Sequence, residues 1–285
     1  KSTPSRRLAA TCTDGSVVCV NGYFGNETCK DACDGRCCVE SEACYGFTGE
    51  VCKDGVSCSG DRACYGAKVD MIVNGCNGTI ACFSAGSGGS IGGIYNSCQG
   101  DTAACFFAGY GGSIGEIYNS CLGYNTCSAA GYGGNISAIQ NSCLGYKACA
   151  GAASYSGNIG NISSSCHGNF TCYYAAGFGG SIGNILDSCE GVNACNYAAY
   201  KGGLIAGIKN ACNADSACYA AGRNSTISSE MYDCCNMGSA CANITTLPAE
   251  CEKPSTTAPT VAPSKPPTRP KSGKSKRRFK RAKTG

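Results

Sequence analysis

The 285-residue sequence contains no tryptophan, only one histidine (His167) and no run of about 20 apolar residues. The last absence excludes a transmembrane helix, because a helix needs about that many apolar residues to cross a bilayer. A single histidine and the lack of any Cys-x2-Cys pair argue against structural zinc sites. Charged residues make up only 15% of the chain, but a hydrophobic content of 43% argues against a disordered protein.

Cysteine is abundant: there are 28, an even number. This density is typical of disulfide scaffolds made in an oxidising compartment, which predicts a secreted, extracellular protein. The chain begins with lysine, which we interpret as a mature form that has lost a signal peptide, or as a fragment. Asn-x-Ser/Thr sequons also fit the secretory route. They occur at Asn26, Asn77, Asn135, Asn161, Asn169, Asn224 and Asn243.

Charge is divided unevenly along the chain. Residues 1–252 include 12 basic and 19 acidic residues, whereas residues 253–285 include 11 basic and no acidic ones. We interpret 253–273 as a Pro/Thr/Ser linker and 274–285 as a polybasic tail. We expect the tail to bind polysaccharide, silica or other anionic extracellular material, and not nucleic acid. Its cations are Lys274, Lys276, Arg277, Arg278, Lys280 and Arg281.

A repeat of 22–23 residues fills the centre of the chain. Each unit, called a rung below, begins at a cysteine and has a second cysteine six or seven residues later. The first cysteines are Cys76, Cys98, Cys121, Cys143, Cys166, Cys189, Cys212 and Cys235. The second cysteines are Cys82, Cys105, Cys127, Cys149, Cys172, Cys195, Cys218 and Cys241. Such regular repetition indicates a solenoid.

Residues at one position in successive rungs, called a column below, share their character. Alanine stands three residues after the second cysteine, and an Ile-x-x-Ile pair such as Ile114/Ile117 follows a glycine-rich corner. Only a neighbouring rung can bury such short apolar pieces. An asparagine-rich column precedes each first cysteine by two residues, and we expect left-handed corners and hydrogen bonds along the stack there. Its members are Asn96, Asn119, Asn141, Ser164, Asp187, Asn210 and Asp233.

These features predict an all-β protein, a parallel β-helix (β-solenoid) of about seven rungs, each with about three short strands and three corners. A leucine-rich horseshoe would need a Leu-x-x-Leu-x-Leu signature, and a propeller would need longer units. We expect a processed or disordered N-terminus at 1–10, a cysteine-rich cap with irregular rungs at 11–75, and the solenoid repeats at 76–252.

Two disulfide arrangements fit the repeat. Within a rung, Cys121 can join Cys127. Between rungs, stacked cysteines about 4.8 Å apart are also within reach. We favour pairing within the rung, because it leaves no thiol over at any number of rungs. A third interpretation keeps the cysteines reduced and buried as small apolar residues.

No arrangement of residues points to catalysis, so we predict that the protein is not an enzyme and uses no metal or cofactor. Polysaccharide-cleaving β-helices cluster their carboxylates. The acidic residues of the full rungs are scattered instead, and we interpret them as solvated surface charges. They are Asp101, Glu116, Asp187, Glu190, Asp215, Glu230 and Asp233. We interpret His167 as a surface histidine rather than a general base.

An aromatic column after the alanine column is the best candidate for ligand binding. It contains Tyr110, Tyr132, Tyr155, Phe178 and Tyr200. Exposed rings at regular spacing suit stacking against sugar faces, whereas rings that stack on one another would stiffen the rod instead. A second aromatic set follows the second cysteine and contains Phe106, Phe107, Tyr173, Tyr174 and Tyr197. Ice binding would need a repeated threonine face, but most rungs carry alanine in the column of Thr126 and Thr171.

The Gly-Gly-Ser-Ile step followed by Ile-x-Asn resembles the rungs of right-handed parallel β-helix (pectin-lyase-like) repeat proteins. It is also similar to the Gly-Gly-Ala-Ile rungs of chlamydial polymorphic outer-membrane proteins, but the Phe-x-x-Asn motif of that family is absent. The resemblance covers residues 76–245 and implies the fold alone. Separately, Arg6-Arg7-Leu8 resembles the Arg-x-Leu processing step of diatom cell-wall precursors, which implies an algal wall or biosilica protein.

Two hypotheses on function follow from the sequence. The first is an extracellular structural or adhesive scaffold of a cell wall, matrix or surface, anchored by its tail. The second is a carbohydrate-binding or carbohydrate-active β-helix, of the lyase or hydrolase kind.

Overall fold

The computed structural model describes residues 11–13, 16–19, 43–44, 47–51 and 57–251. Most of these residues form an all-β parallel solenoid whose rungs follow one another about 23 residues apart, and the described residues include one short 3-10 helix and no α-helix. The predicted N-terminal segment 1–10, much of the predicted cap, the linker and the polybasic tail lie outside the described residues.

Twelve strands form a single sheet. They are β1 (Thr11–Thr13), β2 (Ser16–Cys19), β3 (Thr48–Val51), β4 (Lys68–Val73), β5 (Ser90–Tyr95), β6 (Ser113–Tyr118), β7 (Asn135–Gln140), β8 (Asn158–Ser163), β9 (Ser181–Ile182), β10 (Ile185–Leu186), β11 (Leu204–Lys209) and β12 (Thr226–Tyr232). The pairs β1–β2 and β2–β3 are antiparallel, and every pair from β3 onward is parallel. The strands β9 and β10 together occupy one rung, between β8 and β11.

The register of the strands places like residues on top of one another, as the repeat predicts. Ile114 pairs with Ile91 on one side and with Ile136 on the other. Ile136 in turn pairs with Ile159. Isoleucine therefore stacks on isoleucine through the core, and each side chain is withdrawn from water by the rungs above and below.

The core consists of two isoleucine columns, the alanine column and the cysteines, all buried. Burying one isoleucine side chain contributes roughly 1.5–3 kcal/mol. In the last rung Met231 pairs with Ile208 and takes the place of the second isoleucine. The register between β11 and β12 shifts by one residue before this pair, so the long methionine side chain arrives at the core position.

Most rungs have one strand of six or seven residues rather than the three short strands predicted, and in one rung this strand is divided into β9 and β10. The rest of the rung is a chain of turns whose backbone N–H groups alternate between two kinds of acceptor. Phe107 N donates to Phe83 O in the preceding rung (3.0 Å), whereas Ala108 N donates to Cys105 O in its own rung (3.1 Å). Both sets of hydrogen bonds give the backbone N–H and C=O groups partners without strand geometry. The turn side of the rung therefore needs no second sheet.

The chain of turns places many non-glycine residues at positive φ, including Phe107 (φ 54°) and Tyr174 (φ 51°). This left-handed conformation costs an L-residue about 1–2 kcal/mol. Hydrogen bonds between rungs offset that cost, because the N–H groups of both residues donate to carbonyls of the preceding rung.

The asparagine-rich column forms the left-handed corners expected of it. Its seven members have φ between 47° and 49°. Side-chain amides also bond along the stack: Asn119 Nδ2 donates to Asn141 Oδ1 at 3.3 Å, and Asn74 Nδ2 donates to Asn96 Oδ1 at 3.0 Å. The column is therefore a structural ladder at a corner of the solenoid.

The repeat cysteines pair within rungs. Eight disulfides join the first to the second cysteine of each rung, from Cys76–Cys82 to Cys235–Cys241. Cys58–Cys64 repeats the pattern in the predicted cap region. Each bond closes a loop of six or seven residues, to which the chain-entropy estimate assigns roughly 2 kcal/mol.

A ladder of buried serines, which the sequence analysis missed, lies beside the first cysteines. Each hydroxyl donates to the carbonyl two residues earlier and accepts the backbone N–H of the equivalent residue in the next rung. Ser142 Oγ, for example, donates to Gln140 O (2.6 Å) and accepts from Ser165 N (3.1 Å). The serines of this ladder are Ser97, Ser120, Ser142, Ser165 and Ser188.

The C-terminal end of the solenoid is covered by residues 244–251. Ile244 and Leu247 pack against the core, and the 3-10 helix Ala249–Cys251 follows them. A disulfide between Cys234 and Cys251 fastens this segment to the last rung. The cover shields core side chains that no further rung buries.

Candidate binding surfaces

The first aromatic column is continuous over five rungs. Tyr110 and Tyr132 stack with ring centroids 5.3 Å apart and planes 11° from parallel. Tyr132 and Tyr155 are 5.6 Å apart and tilted, and Tyr155 and Phe178 stack at 4.5 Å. Tyr155 and Phe178 are the most exposed members, at 50% and 43%. The structure thus brings together all the rings that the sequence analysis grouped here, including Tyr200, which meets Phe178 edge-on at 5.0 Å.

The stacking limits what this column can offer to a ligand. A sugar packs against the face of an aromatic ring, but the facing sides of Tyr110 and Tyr132 are turned toward each other. Their edges and phenol groups are left for the solvent. This geometry favours the ring-on-ring interpretation, in which the column stiffens the solenoid.

The second aromatic set is less regular. Tyr174 and Tyr197 stack at 5.9 Å with planes 7° apart, and Tyr173 meets Tyr174 edge-on at 4.5 Å. Burial, followed by the neighbouring phenols of Tyr174 and Tyr197, raises the pKa of Tyr173 to about 12. Burial also raises the pKa of Tyr197. Both phenols therefore remain neutral hydrogen-bonding groups over the physiological range.

A third aromatic column escaped the sequence analysis. Tyr124 and Tyr146 stack at 5.6 Å, and Tyr146 meets Phe170 edge-on at 5.2 Å. Lys147 Nζ lies 5.3 Å from the centroid of the Tyr146 ring and 5.7 Å from that of Phe170. The spacing of 22 and 24 residues between these rings was the available signal, but it covers only three rungs.

The outer face of the sheet is polar and built from small residues. Ser113 Oγ donates to Asn135 Oδ1 (2.6 Å), and Asn135 Nδ2 donates to Asn158 Oδ1 (3.1 Å). A shallow groove of about 410 Å³ crosses strands β4 to β7 beside this ladder and includes Asp70 in its lining. Because these side chains bond to one another, we assign the ladder to stabilisation of the sheet and not to ligand binding.

The acidic side chains that the sequence analysis considered serve different local roles. Glu116 lies in β6 and pairs with Gly93 and Ala138 of the adjacent strands. Asp215 lies far along the chain, and its Oδ1 accepts a hydrogen bond from the backbone N–H of Val192 at 2.7 Å. Asp187 and Asp233 belong to the corner column described above. The remaining acidic residues of the set are Asp101, Glu190 and Glu230.

His167 is part of a small polar contact on the surface. Its Nδ1 lies 3.8 Å from Glu190 Oε1 in the next rung, and its Nε2 lies 3.1 Å from Asn141 O. A carbonyl can only accept, so the contact with Asn141 requires the proton on Nε2. The ring is thereby held between two rungs, as a surface histidine would be, and we assign it no chemistry.

Sulfur atoms of neighbouring rungs also approach one another. Those of Cys76, Cys82 and Cys98 lie within 4.8 Å of each other. Thiolate is the form of cysteine that binds metals, and these sulfurs are joined in disulfides. The cluster is therefore a consequence of stacking disulfides and not a candidate metal site.

Six of the seven sequons lie in the described part of the chain, and none of their asparagines is buried. Asn161, Asn169, Asn224 and Asn243 are exposed, whereas Asn77 is half-buried. Asn135 is exposed too, but its amide belongs to the ladder on the sheet face. Asn26 and all the tail cations from Lys274 to Arg281 lie outside the described residues.

No protein-family model matches this chain, and neither the search of curated proteins nor that of solved structures found a similar protein. Among the described residues, no helix has the length and apolar character that a membrane crossing requires. The disulfide-rich β-solenoid itself fits an extracellular scaffold.

Proposed function

We propose that the protein is a structural scaffold of an extracellular wall, matrix or surface, anchored to anionic material by its polybasic tail. The observation that carries this proposal is the repetition of the same bonds in every full rung. A disulfide, stacked isoleucines and a bonded corner recur from rung to rung, so the molecule is built for rigidity along its length.

Three ladders reinforce one another in this scaffold. The buried serines link successive rungs beside the disulfides, and the corner asparagines link them at the surface. The aromatic columns add a third set of contacts on the turn side. Oxidation of the cysteines supports an extracellular setting, because reducing compartments keep thiols free.

The proposed anchor is the charge of the tail. Residues 253–285 hold 11 basic and no acidic residues, against a body with an excess of acidic residues. Such a segment is attracted to acidic polysaccharide or silica, and the attraction weakens as salt screens it. The tail, its linker and the Arg6-Arg7-Leu8 step make an algal wall one setting for the scaffold.

Removal of the tail tests the proposal. The full chain and a 1–252 version would be applied to acidic polysaccharide beads and to silica at low and at moderate ionic strength. We expect the full chain to be retained and eluted by salt, and the 1–252 version to pass through. Equal retention of the two proteins would refute tail anchoring.

A second candidate function is carbohydrate binding by the solenoid body, with the lyase or hydrolase activity of pectin-lyase-like proteins as its enzymatic form. The exposed rings of the first and third aromatic columns, Tyr155 and Phe178 in one and Tyr124 and Tyr146 in the other, favour the binding form. A panel of neutral and acidic glycans, tested for binding and for release of reducing ends, separates the two forms. Release of reducing ends would contradict our expectation that the protein is not an enzyme.

A further inference from the structure

The column that follows the second cysteine is interrupted in the middle of the solenoid. It contains, in order, Phe83, Phe106, Ser128, Ala150, Tyr173, Asn196 and Tyr219. Two successive rungs thus carry small residues where the flanking rungs carry rings. The next column repeats the interruption, with Ala129 and Gly151 between Phe107 and Tyr174.

This interruption opens a notch of about 270 Å³ in the aromatic surface. Phe106 lines one side and Tyr173 lines the other, while the ring of Tyr174 reaches back over Gly151 and narrows the floor. The Phe106 and Tyr173 rungs are three rung spacings apart, about 14 Å at the usual strand distance. The floor consists of the small side chains and of backbone held by bonds between rungs, such as Gly151 N to Ser128 O at 2.8 Å.

Polar groups face the notch on one flank. Asn125 and Lys147 occupy adjacent rungs in the column two residues before the second cysteine, and Ser128 adds a hydroxyl. The rings of Tyr146 and Phe170 lie within 5.7 Å of the Lys147 ammonium group and restrict its motion. No carboxylate of the described residues forms an ion pair with Lys147, so its charge is available to a ligand.

We infer that this notch binds a uronic-acid unit of an acidic polysaccharide. Aromatic walls suit the C–H faces of a sugar ring, and a lysine beside them suits its carboxylate. The amide and hydroxyl of Asn125 and Ser128 suit its hydroxyl groups. At about 270 Å³ the notch lies just below the usual range for drug-sized ligands, so it fits a short piece of a chain.

The inference rests on the proposed extracellular function and deepens it. The tail attracts polyanions of any kind, because its charges act without fixed geometry. The notch adds a requirement for a sugar ring with a carboxylate. In a scaffold with both features, the tail would attach the protein to anionic material by charge, and the notch would select one acidic polysaccharide.

Filling the notch with aromatic side chains tests the inference, and it uses residue types that other rungs already have in this column. In the double variant Ser128→Phe/Ala150→Tyr, the two rungs gain the kinds of ring that Phe106 and Tyr173 already place in this column. The control Ala242→Tyr adds a ring in the same column of the last rung, outside the notch. Thermal unfolding and near-UV circular dichroism establish that both variants are folded.

Binding of tri-galacturonate to the full chain would be measured by calorimetry at moderate salt. We expect the filled variant to bind at least tenfold more weakly than the native chain, and Ala242→Tyr to bind like the native chain. Lys147→Ala should weaken binding about tenfold. Lys201→Ala should not, although Lys201 also lies over a ring, that of Tyr200.

Several results would overturn the inference. One is native-like affinity of the filled variant, and another is the absence of any binding of tri-galacturonate at millimolar concentration. A third is an equal, notch-dependent affinity for inorganic tripolyphosphate, which would make the notch a simple anion site. Retention on acidic polysaccharide that is lost with residues 253–285 but unchanged in the filled variant would leave the anchoring proposal intact and remove this one.

Discussion

The hydroxyl of Ser142 accepts a hydrogen bond from the backbone N–H of Ser165 at 3.1 Å, and both residues are fully buried. The same hydroxyl donates to Gln140 O at 2.6 Å. One side chain therefore satisfies a donor in the next rung and an acceptor in its own rung. Repeated five times, this bond joins rungs through the interior, where water cannot replace it.

The serine ladder predicts that removing a single hydroxyl group lowers the free energy of unfolding. Ser142→Ala removes one oxygen atom and leaves the N–H of Ser165 buried without its acceptor, which costs about 1–3 kcal/mol. Denaturant unfolding measures this loss. Ser137→Ala, on the exposed face of β7, is the matched control and should change stability by less than about 0.5 kcal/mol. Equal effects of the two changes would contradict the ladder.

The isoleucine columns predict a larger loss. Ile139 is fully buried and pairs with Ile117 and Ile162 in the adjacent rungs. Ile139→Ala should lower the free energy of unfolding by about 2–5 kcal/mol, and Ile139→Val by about 0.5–1.5 kcal/mol. Gln140→Ala, whose side chain is exposed, serves as the control. If Ile139→Ala lowered the free energy of unfolding by less than Ile139→Val does, tight stacking at this position would be excluded.

The disulfides predict a specific peptide map. Digestion without reduction should yield Cys143 linked to Cys149, and not to the stacked Cys121 or Cys166. Replacing both Cys143 and Cys149 by alanine should lower the free energy of unfolding by roughly 2 kcal/mol, since the unfolded chain regains the freedom of the opened loop. Links between rungs in the map would refute the pairing described here.

The pKa of Tyr173 predicts a late step in a tyrosine titration. Burial and the neighbouring phenols hold this pKa at about 12 in the folded protein, against 10.0 for an ordinary tyrosine. The associated stabilisation is complete below pH 10 and disappears as the pH rises toward about 12. Absorbance at alkaline pH should therefore lose its latest component in Tyr173→Phe. An unchanged titration curve would show that another tyrosine ionises last.

The sequons predict unequal glycan occupancy in a secreted preparation. Asn224 is exposed and its side chain makes no hydrogen bond within the described residues, so we expect it to be modified. Asn135 donates its amide to Asn158 and accepts from Ser113. A glycan there would compete with the ladder, and we expect low occupancy. Glycopeptide mass spectrometry measures both sites, and higher occupancy at Asn135 than at Asn224 would contradict this.

The repeat made much of the fold predictable. Periodicity placed Ile114 against Ile91 and Ile136, and the corner asparagines were expected at positive φ. These features depend on one fact, that equivalent residues of successive rungs touch, and the spacing of the cysteines reveals it. Met231 followed from no such rule, because a shift of register in β12 brings it to the core position.

The turn side of each rung was not predictable from local sequence preferences. Phe107 and Tyr174 take a left-handed conformation that aromatic residues rarely adopt, since hydrogen bonds from other rungs outweigh their intrinsic preference. The notch was missed for a related reason. It arises because two neighbouring rungs have no ring in this column, and a pattern of recurring rings does not reveal where a ring is absent.

The end segment 244–251 has a consequence for how such a molecule can change in size. The rungs between β4 and this cover share the same buried columns, and each rung has its own disulfide and pairs with the rungs beside it. Duplicating or deleting one regular rung of about 23 residues in the gene would keep both ends of the solenoid and would keep isoleucine stacked on isoleucine in the core. The distance between the two ends of the solenoid is thus a quantity that evolution, or a designer, can set in steps of one strand spacing.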